Sequence, residues 1–551
     1  MMSNQSTIRI LSSAEKCFFD EKAADKKETL CESALKGERF SLELAIQGDG
    51  LPRMHYLTAT TTLGDCVRIA SIEDVPVKSP KPDQEEPDYI RSAPGLYPDL
   101  IQPLPENGEI WTKNGILNSY LVDVDIPADA KAGEYTIVFQ MNNENGEPEA
   151  ESTFTLTVLD AAIPPQTLIY AHWVHYDCLA DWYEVPVFSE KHWRIIKNYL
   201  TCARENGITA AFTPMFTPPL DTKVGGERPT VQLIDVTLEN GIYRFGYKRL
   251  RRFVRMCKTI GFTHFELSHL FTQWGAAHAP KIMATVDGEY KKIFGWETDA
   301  TAPEYVEFLR AFLADLKAEL KALGIADRCL FHISDEPNEH HLESYTNAKN
   351  AVADLLADCH ICDALSDFAL YQKGAVKRPI VAIDAMEPFL SAGVEKLWGY
   401  HCICQWNKVS NRFIAMSMNR TRIIGAQMYK YRLEGFLQWG YNFWYSQFST
   451  QRINPFLNPH GGFFSFDGDT FGVYPGPHGM PLESLHMRAF AQGLTDLRAM
   501  QLAETLCGRE AVLAAIESEM PVTFTEYPRH TDGALSIRRR INDLIASKTN
   551  P

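Results

Sequence analysis

From about Phe40 to Leu159 apolar side chains recur at every second position. FSLELAIQG (40–48), VRIASIEDV (67–75), SYLVDVDIP (119–127), GEYTIVFQM (133–141) and STFTLTVLD (152–160) all carry this alternation. Side chains of a strand point to opposite faces in turn, so the pattern is that of half-buried antiparallel strands. Turn-forming segments such as 127–133 and 143–146 separate the runs, and their repetition predicts a β-sandwich. The stretch from Lys78 to Pro105 is rich in proline and acid and reads as a long surface loop. Ala161 to Gln166, with its paired prolines, reads as the segment that ends this domain.

Beyond Gln166 the texture changes to short apolar runs alternating with amphipathic helices. TLIYAHWVHYD, ITAAFTPMFTPP and FTHFELSHLF read as three successive strands, with a hairpin insertion VQLIDVTLENGIYRFGY after the second. A helix over 303–323 leads into a fourth strand that ends at Asp335-Glu336. RPIVAIDAM, KLWGYHCICQW, TRIIGAQMYKY and GFLQWGYNFWYS read as strands five to eight. Strand–helix alternation of this kind predicts a parallel (β/α)₈ TIM barrel. The expected architecture is therefore a multidomain chain: an N-terminal antiparallel β-sandwich (1–162), a (β/α)₈ barrel (163–500) and a C-terminal helical appendage (501–551).

Bulk chemistry narrows the function. The chain has 551 residues, too many for one hydrophobic core. Its 54 basic against 70 acidic residues give a net charge of −16, and no basic tract stands out. That balance weighs against nucleic acid and anionic membrane surfaces as partners and is compatible with a homo-oligomer. The N-terminal segment lacks an apolar run of signal-peptide length, and no stretch is long enough to span a bilayer. A cytoplasmic location and reduced cysteines are the corresponding expectations.

Asp335-Glu336 carries the chemistry. An apolar run, Cys329 to Ile333, delivers two adjacent carboxylates to a proline stop, Pro337. In a barrel of this class, such a junction lies at the C-terminal mouth, where strand ends do chemistry. Glycoside hydrolysis needs one group to protonate the leaving oxygen and one to stabilise or attack the sugar cation. Aromatic and amide side chains gather near the other expected strand ends: His175, His269, Trp274, Trp398, Tyr400, Tyr429, Trp439 and Asn442. Flat aromatic faces suit the apolar side of a pyranose, and amides suit its hydroxyls. A conventional retaining barrel glycosidase carries a nucleophilic glutamate after strand seven. The expected strand seven ends instead in Gln427-Met-Tyr-Lys-Tyr431, with no acid before Glu434. That gap favours attack by the sugar's own acetamide; a separate nucleophile at Asp384 or Glu387, or a non-catalytic glycan-binding protein, remain open. Neither Cys359-His-Ile-Cys362 nor Glu339-His340-His341 makes a persuasive metal site, and no cofactor motif appears.

Ser-Asp-Glu-Pro (334–337), Leu-Trp-Gly-Tyr (397–400), Glu-Gly-Phe-Leu-Gln-Trp-Gly-Tyr-Asn-Phe-Trp (434–444) and Tyr-Pro-Gly-Pro-His-Gly (474–479) occur in that order. Together with Arg-Ala-Phe-Ala-Gln-Gly-Leu-Thr-Asp-Leu-Arg (488–498), they resemble glycoside hydrolase family 123. The resemblance implies a β-N-acetylgalactosaminidase using substrate-assisted retention, without a cofactor, on an oligosaccharide or glycoconjugate. It would make Glu336 the general acid/base, Asp335 the acetamide-orienting carboxylate and Tyr400 a hydrogen-bonding partner of the acetamide. Trp398, Trp439 and Trp274 would be stacking walls. The chain departs from the family pattern at Gly399 and His401, both expected beside the sugar.

Overall fold

The computed structural model describes residues 6–48, 50–81 and 88–549. Ten N-terminal strands form two five-stranded sheets. One runs Thr7–Ser12, Arg39–Gln47, Leu117–Asp125, Val67–Val77, Gly95–Pro103; the other runs Cys31–Lys36, Pro148–Ala162, Gly133–Asn142, Arg53–Thr61, Glu109–Thr112. Alternation makes the packing: Leu42, Leu44 and Val122 of the first sheet meet Phe139, Met141, Phe154 and Leu156 of the second in one buried core. All pairings are antiparallel except Cys31–Lys36 against Pro148–Ala162, which is parallel. Gly95–Pro103 corrects the surface-loop reading of 78–105: it is a sheet strand, its Tyr97 and Leu100 buried. Residues 82–87 of that stretch lie outside the described residues.

The second half closes into an eight-stranded barrel. Its strands are Ile169–His172, Ala210–Thr213, His264–Leu267, Cys329–Phe331, His360–Ala364, Arg378–Ala382, Trp398–Tyr400 and Gly435–Gln438, every neighbour parallel. Helices Glu190–Glu205, Lys248–Ile260 and Pro303–Ala322 lie between the first four strands. The expected hairpin forms at 235–246 and is joined by a second, 282–294, in one four-stranded sheet. Tyr243 and Phe245 of the first hairpin pack on Phe308 and Phe312 of the helix Pro303–Ala322.

Two assignments change. His360–Ala364 is the fifth strand, and TRIIGAQMYKY is helical, within Met418–Arg422 and Ile424–Lys430. Arg378–Ala382 and Trp398–Tyr400 therefore become strands six and seven. Long-range packing decides the second case: Gly425 sits so close to the helix Leu485–Cys507 that an added Cβ would lie 2.0 Å from the Gly493 carbonyl oxygen. That helix is continuous across residue 500.

Sheets and barrel are joined by buried ionic groups. Arg488 reaches across to Asp123 at 2.6 Å, His486 Nδ1 lies 2.8 Å from Asp99, and the Tyr474 hydroxyl donates to the same Asp99 at 2.6 Å. Arg538 links Glu38 (2.5 Å) to Asp496 (3.1 Å). Breaking such a pair strands a charge away from water. Arg488→Ala should accordingly destabilise the protein by about 3–5 kcal/mol, read from urea unfolding. A loss below about 1 kcal/mol would show that this contact does not hold the two parts together.

Candidate active site

Strand four stops at Phe331, but the chain runs on because the loop after strand three hydrogen-bonds beside it. Leu270 N–H donates to the His332 carbonyl (3.1 Å), Phe271 N–H to Ile333 (3.0 Å) and Trp274 N–H to Asp335 (3.0 Å). The Ser334 hydroxyl donates to the Thr272 carbonyl at 2.7 Å. Glu336 then adopts φ +45, a left-handed step outside ordinary strand geometry. Neighbours in a regular strand face opposite ways, and this step releases Glu336 from that alternation. A bound Tyr400 hydroxyl, 2.8 Å from Glu336 Oε1, fixes the result. The same hydroxyl lies 3.1 Å from Ser366 Oγ, which accepts the Ala382 N–H at 3.1 Å. One chain of hydrogen bonds thus ties together the ends of strands four to seven.

Asp335 has no hydrogen-bond donor at its carboxylate among the described residues. Burial raises its pKa well above the ordinary carboxylate range, and the charges of Glu336 and Asp221 raise it further. Burial also raises Glu336, against which the Tyr400 hydrogen bond acts. Asp221, beyond strand two, is lifted to about 6 by burial, opposed by Arg228 and helped by Glu336. It too is left-handed (φ +48), its N–H donated to Gln273 Oε1 at 2.6 Å and its carbonyl bound by the Ser449 hydroxyl at 2.7 Å.

Below the pair lies a buried ionic triad. His332 Nε2 is 2.8 Å from Glu266 on strand three, and its Nδ1 is 3.3 Å from Asp363 on strand five. Burial alone would push His332 down; the two carboxylates outweigh it and lift it to about 10, so the ring is an imidazolium. Asp363 also accepts the Ile333 N–H (3.0 Å) and the Tyr345 hydroxyl (2.5 Å), while Glu266 accepts the Trp173 indole (2.8 Å). His269 stacks on His332 at 4.5 Å and stays neutral, lowered by burial and by that neighbouring charge. Among the described residues neither ring nitrogen of His269 has a hydrogen-bond partner.

The remaining expected residues divide. Trp274, 41% exposed and left-handed, stands at the rim edge-on to Phe448. Trp439 follows strand eight, its indole donating to Asp469 at 3.2 Å. His175 is buried between Arg228 (3.1 Å) and the Trp439 carbonyl (3.1 Å); burial, then Arg228, lowers it to about 3. Asn442 spends its amide on the backbone of His175, accepting its N–H (2.8 Å) and donating to its carbonyl (3.0 Å). Trp398 is a correction: it starts strand seven at the opposite end of the barrel, buried, with its indole toward Glu434. Tyr429 is another, being helical with its hydroxyl on Glu504 at 2.6 Å. Gly399 and His401 face the outer wall, the first against Phe436 and Leu433, the second against Phe436 and Phe490. Neither adjoins the pair. Asp384 lies after strand six, 3.3 Å from the Gln405 amide, and Glu387 is exposed on a surface helix.

Asp221, Ser366, Glu266 and Asp363 were not anticipated. The readable signal for the last two is a lone carboxylate inside an apolar strand, Phe-Glu-Leu and Cys-Asp-Ala, which demands a buried counter-charge.

The profile described as "Glycoside hydrolase 123, catalytic domain" matches residues 173–503. The fold is similar to that of a family 123 glycoside hydrolase from Clostridium perfringens, studied for glycolipid glycan hydrolysis. The TM-score is 0.75 at 14% identity, covering 99% of this chain and 98% of that one. A Parabacteroides merdae β-glucuronidase is far more distant, with a TM-score of 0.29 at 8% identity, over 91% of this chain and 52% of that one. No curated protein sequence matches the chain.

The triad makes a spectroscopic prediction. In nitrogen-15 histidine spectra His332 should remain imidazolium at about pH 8, above the ordinary histidine pKa of about 6.5, while His269 is neutral. Asp363→Asn should bring the His332 titration down. A His332 that titrates at the ordinary value in wild type would refute the triad's charge state.

Proposed function

This chain belongs to glycoside hydrolase family 123, and we propose that it hydrolyses β-N-acetylhexosaminides, preferring N-acetylgalactosaminides, by substrate-assisted retention. In this reading the stretch from residue 163 through the helix Leu485–Cys507 is the catalytic (β/α)₈ unit, with 1–162 and the helices beyond Cys507 as support. Carbohydrate is the partner, and no cofactor takes part. The observation that carries the reading is the unlike pair: Glu336 held by Tyr400, beside Asp335 whose carboxylate meets no donor.

The chemistry follows from that asymmetry. Glu336 gives its proton to the glycosidic oxygen as the bond to the anomeric carbon breaks. The acetamide oxygen bonds to that carbon from the opposite face, closing a cationic oxazoline ring. Asp335 accepts the acetamide N–H, which spreads the positive charge. Glu336, now a carboxylate, takes a proton from water; the water oxygen attacks the anomeric carbon and the ring reopens with configuration retained. Burial favours the protonated form of both carboxylates. An N–H donor arriving at Asp335 favours its anion and leaves the proton for Glu336. Tyr400 has one hydroxyl proton. It goes to Glu336 Oε1, which leaves the acid's proton on the other carboxyl oxygen, free for the glycosidic oxygen.

An alkyl N-acetyl-β-galactosaminide tests the acid role, because its poor leaving group needs the proton. Glu336→Gln and Asp335→Asn should each lower kcat by about 10²–10⁴, whereas Asp384→Asn should leave it nearly unchanged. Cleavage of the plain β-galactoside at a comparable rate would sink the assisted route and point to Asp384.

The pH profile tests the tuning. Glu336 must be protonated, so kcat/KM should fall as pH rises through its raised pKa, above the ordinary value of about 4.3. Tyr400→Phe deletes the hydrogen bond that favours the anion, so the alkaline limb should move to higher pH. A limb that moves down, or stays put, would separate Tyr400 from Glu336 protonation.

A further inference from the structure

The motif Tyr-Pro-Gly-Pro-His-Gly (474–479) plays no part in the site around Asp335 and Glu336. Its turn is clamped onto the outer helix Glu190–Glu205 instead. Asn198 Nδ2 donates to the Gly479 carbonyl at 3.1 Å, and the Tyr183 hydroxyl donates to that of Gly476 at 2.9 Å. Gly479 (φ +78) leaves no room for a side chain, since a Cβ would lie 2.6 Å from Ile195. Beside it His478 is held left-handed at φ +57, exposed and without glycine's freedom. Strain of this kind persists only where the surroundings enforce it, and it collects at functional sites.

Turn and helix enclose an open groove of about 730 Å³ lined by Lys191, Arg194, Lys197 and His478, with Tyr183 and Asn198. No carboxylate lines it, and it shares no residue with the catalytic mouth. Among the described residues Lys191, Arg194 and Lys197 make no ion pair within 4.0 Å. The neighbouring helix Lys248–Ile260 exposes Lys248 and Arg255, also without ion pairs, beside Arg249, Arg251 and Arg252, whose partners are Asp235, Glu319 and Glu190. Lys248-Arg-Leu-Arg-Arg252 is thus a short basic run that the overall charge of −16 conceals. A cationic concavity on an acidic protein focuses its field on anions.

We infer that this groove is a second binding site, for an oligosaccharide bearing carboxylate or sulfate groups. The inference rests on the glycan-processing reading above. The cations would pair with the acidic groups, while the Asn198 amide oxygen, which the turn leaves unused, accepts from a hydroxyl. A bilayer would call for an exposed apolar face, and a nucleic acid for a row of stacking aromatics along the basic path; the lining holds two rings, Tyr183 and His478, and one aliphatic side chain, buried Ile195, too few for either.

The test is calorimetric binding of a sialylated trisaccharide, a sulfated disaccharide and their neutral parents, with a short DNA duplex and phosphatidylserine vesicles as alternatives. Wild type is compared with the combined variant Lys191→Gln, Arg194→Gln, Lys197→Gln. At about 50 mM salt, an acidic sugar should bind at least about tenfold tighter than its neutral parent, and salt of about 300 mM should weaken it. The variant should lose at least about tenfold, with kcat/KM on a neutral N-acetyl-β-galactosaminide unchanged, which shows that it is folded. Binding of the sialylated probe alone identifies a carboxylate site, and of the sulfated probe alone a sulfate site. Equal binding by variant and wild type, equal binding of neutral and acidic sugars, no acidic-sugar binding at low salt, or preference for DNA or vesicles would each overturn the inference. Should the wild type bind acidic sugar through these residues yet hydrolyse no acetamido sugar, the groove stands and the catalytic reading falls.

Discussion

A protonated His332 is the condition under which two adjacent carboxylates can be buried at the mouth of this barrel. Its ring bridges Glu266 and Asp363, so strands three, four and five share one buried ionic group. Buried charges are costly unless paired, and here each member is paired and also accepts or supports further hydrogen bonds. The imidazolium also opposes the rise in the pKa of Asp335. Because His332 precedes that residue by only three positions, the charge that balances the site also fixes the backbone that presents it. Neutral His269, stacked on the imidazolium, fills the space beside the ring without adding a second charge.

Above the triad the mouth is braced by strained backbone. Asp221, Trp274, Glu336, Phe448 and Ser449 are all left-handed without being glycine. They lie in four loops, and those loops bond to one another: Trp274 N–H to Asp335, Ser449 hydroxyl to Asp221, Lys223 N–H to Phe448. Each such residue costs about 1–3 kcal/mol, so the conformation persists only because neighbouring loops enforce it. Polar groups fixed in this way need no reorganisation when charge develops on a substrate.

The sequence made the broad plan readable, and the reasons for its failures are physical. Alternation exposed the long central strands 39–47, 117–125, 133–142 and 148–162, because one face of each feeds the sandwich core; in 39–47 and 117–125 the other face is buried too, but carries polar Ser41, Glu43, Ser119 and Asp123. It overlooked Gly95–Pro103, whose prolines and glycine mimic a loop. His360–Ala364 was hidden by polar His360 and Asp363 in a strand of only five residues. TRIIGAQMYKY imitated a strand through its β-branched and aromatic residues, although tight packing against Gly493 makes it helical. That one exchange misplaced Tyr429 and shifted the numbering of the strands around Tyr400. The position of Asp335-Glu336 just beyond a barrel strand was legible because an apolar run leads directly into the two carboxylates. The partners that tune the pair were not, since Glu266, Asp363 and Asp221 come from elements far away in the chain.

The corrected strand order sharpens the mechanistic argument. With His360–Ala364 restored, Trp398–Tyr400 is strand seven, the place where a conventional retaining barrel glycosidase carries its nucleophile. Tyr400 stands there, and its hydroxyl is engaged with the Glu336 carboxylate. A phenol hydrogen-bonded to the acid/base is poorly placed to attack a sugar, for its proton and its orientation are committed to the neighbour. The proposed reaction therefore takes its attacking group from outside that position. Asp384, on the preceding strand end, is more exposed and turned toward the Gln405 amide. A substrate acetamide, in contrast, would bring its own nucleophilic oxygen and the N–H donor that the Asp335 carboxylate lacks. One functional group on the sugar would satisfy both deficits of the site, and on that ground we propose acetamido sugars over their plain counterparts.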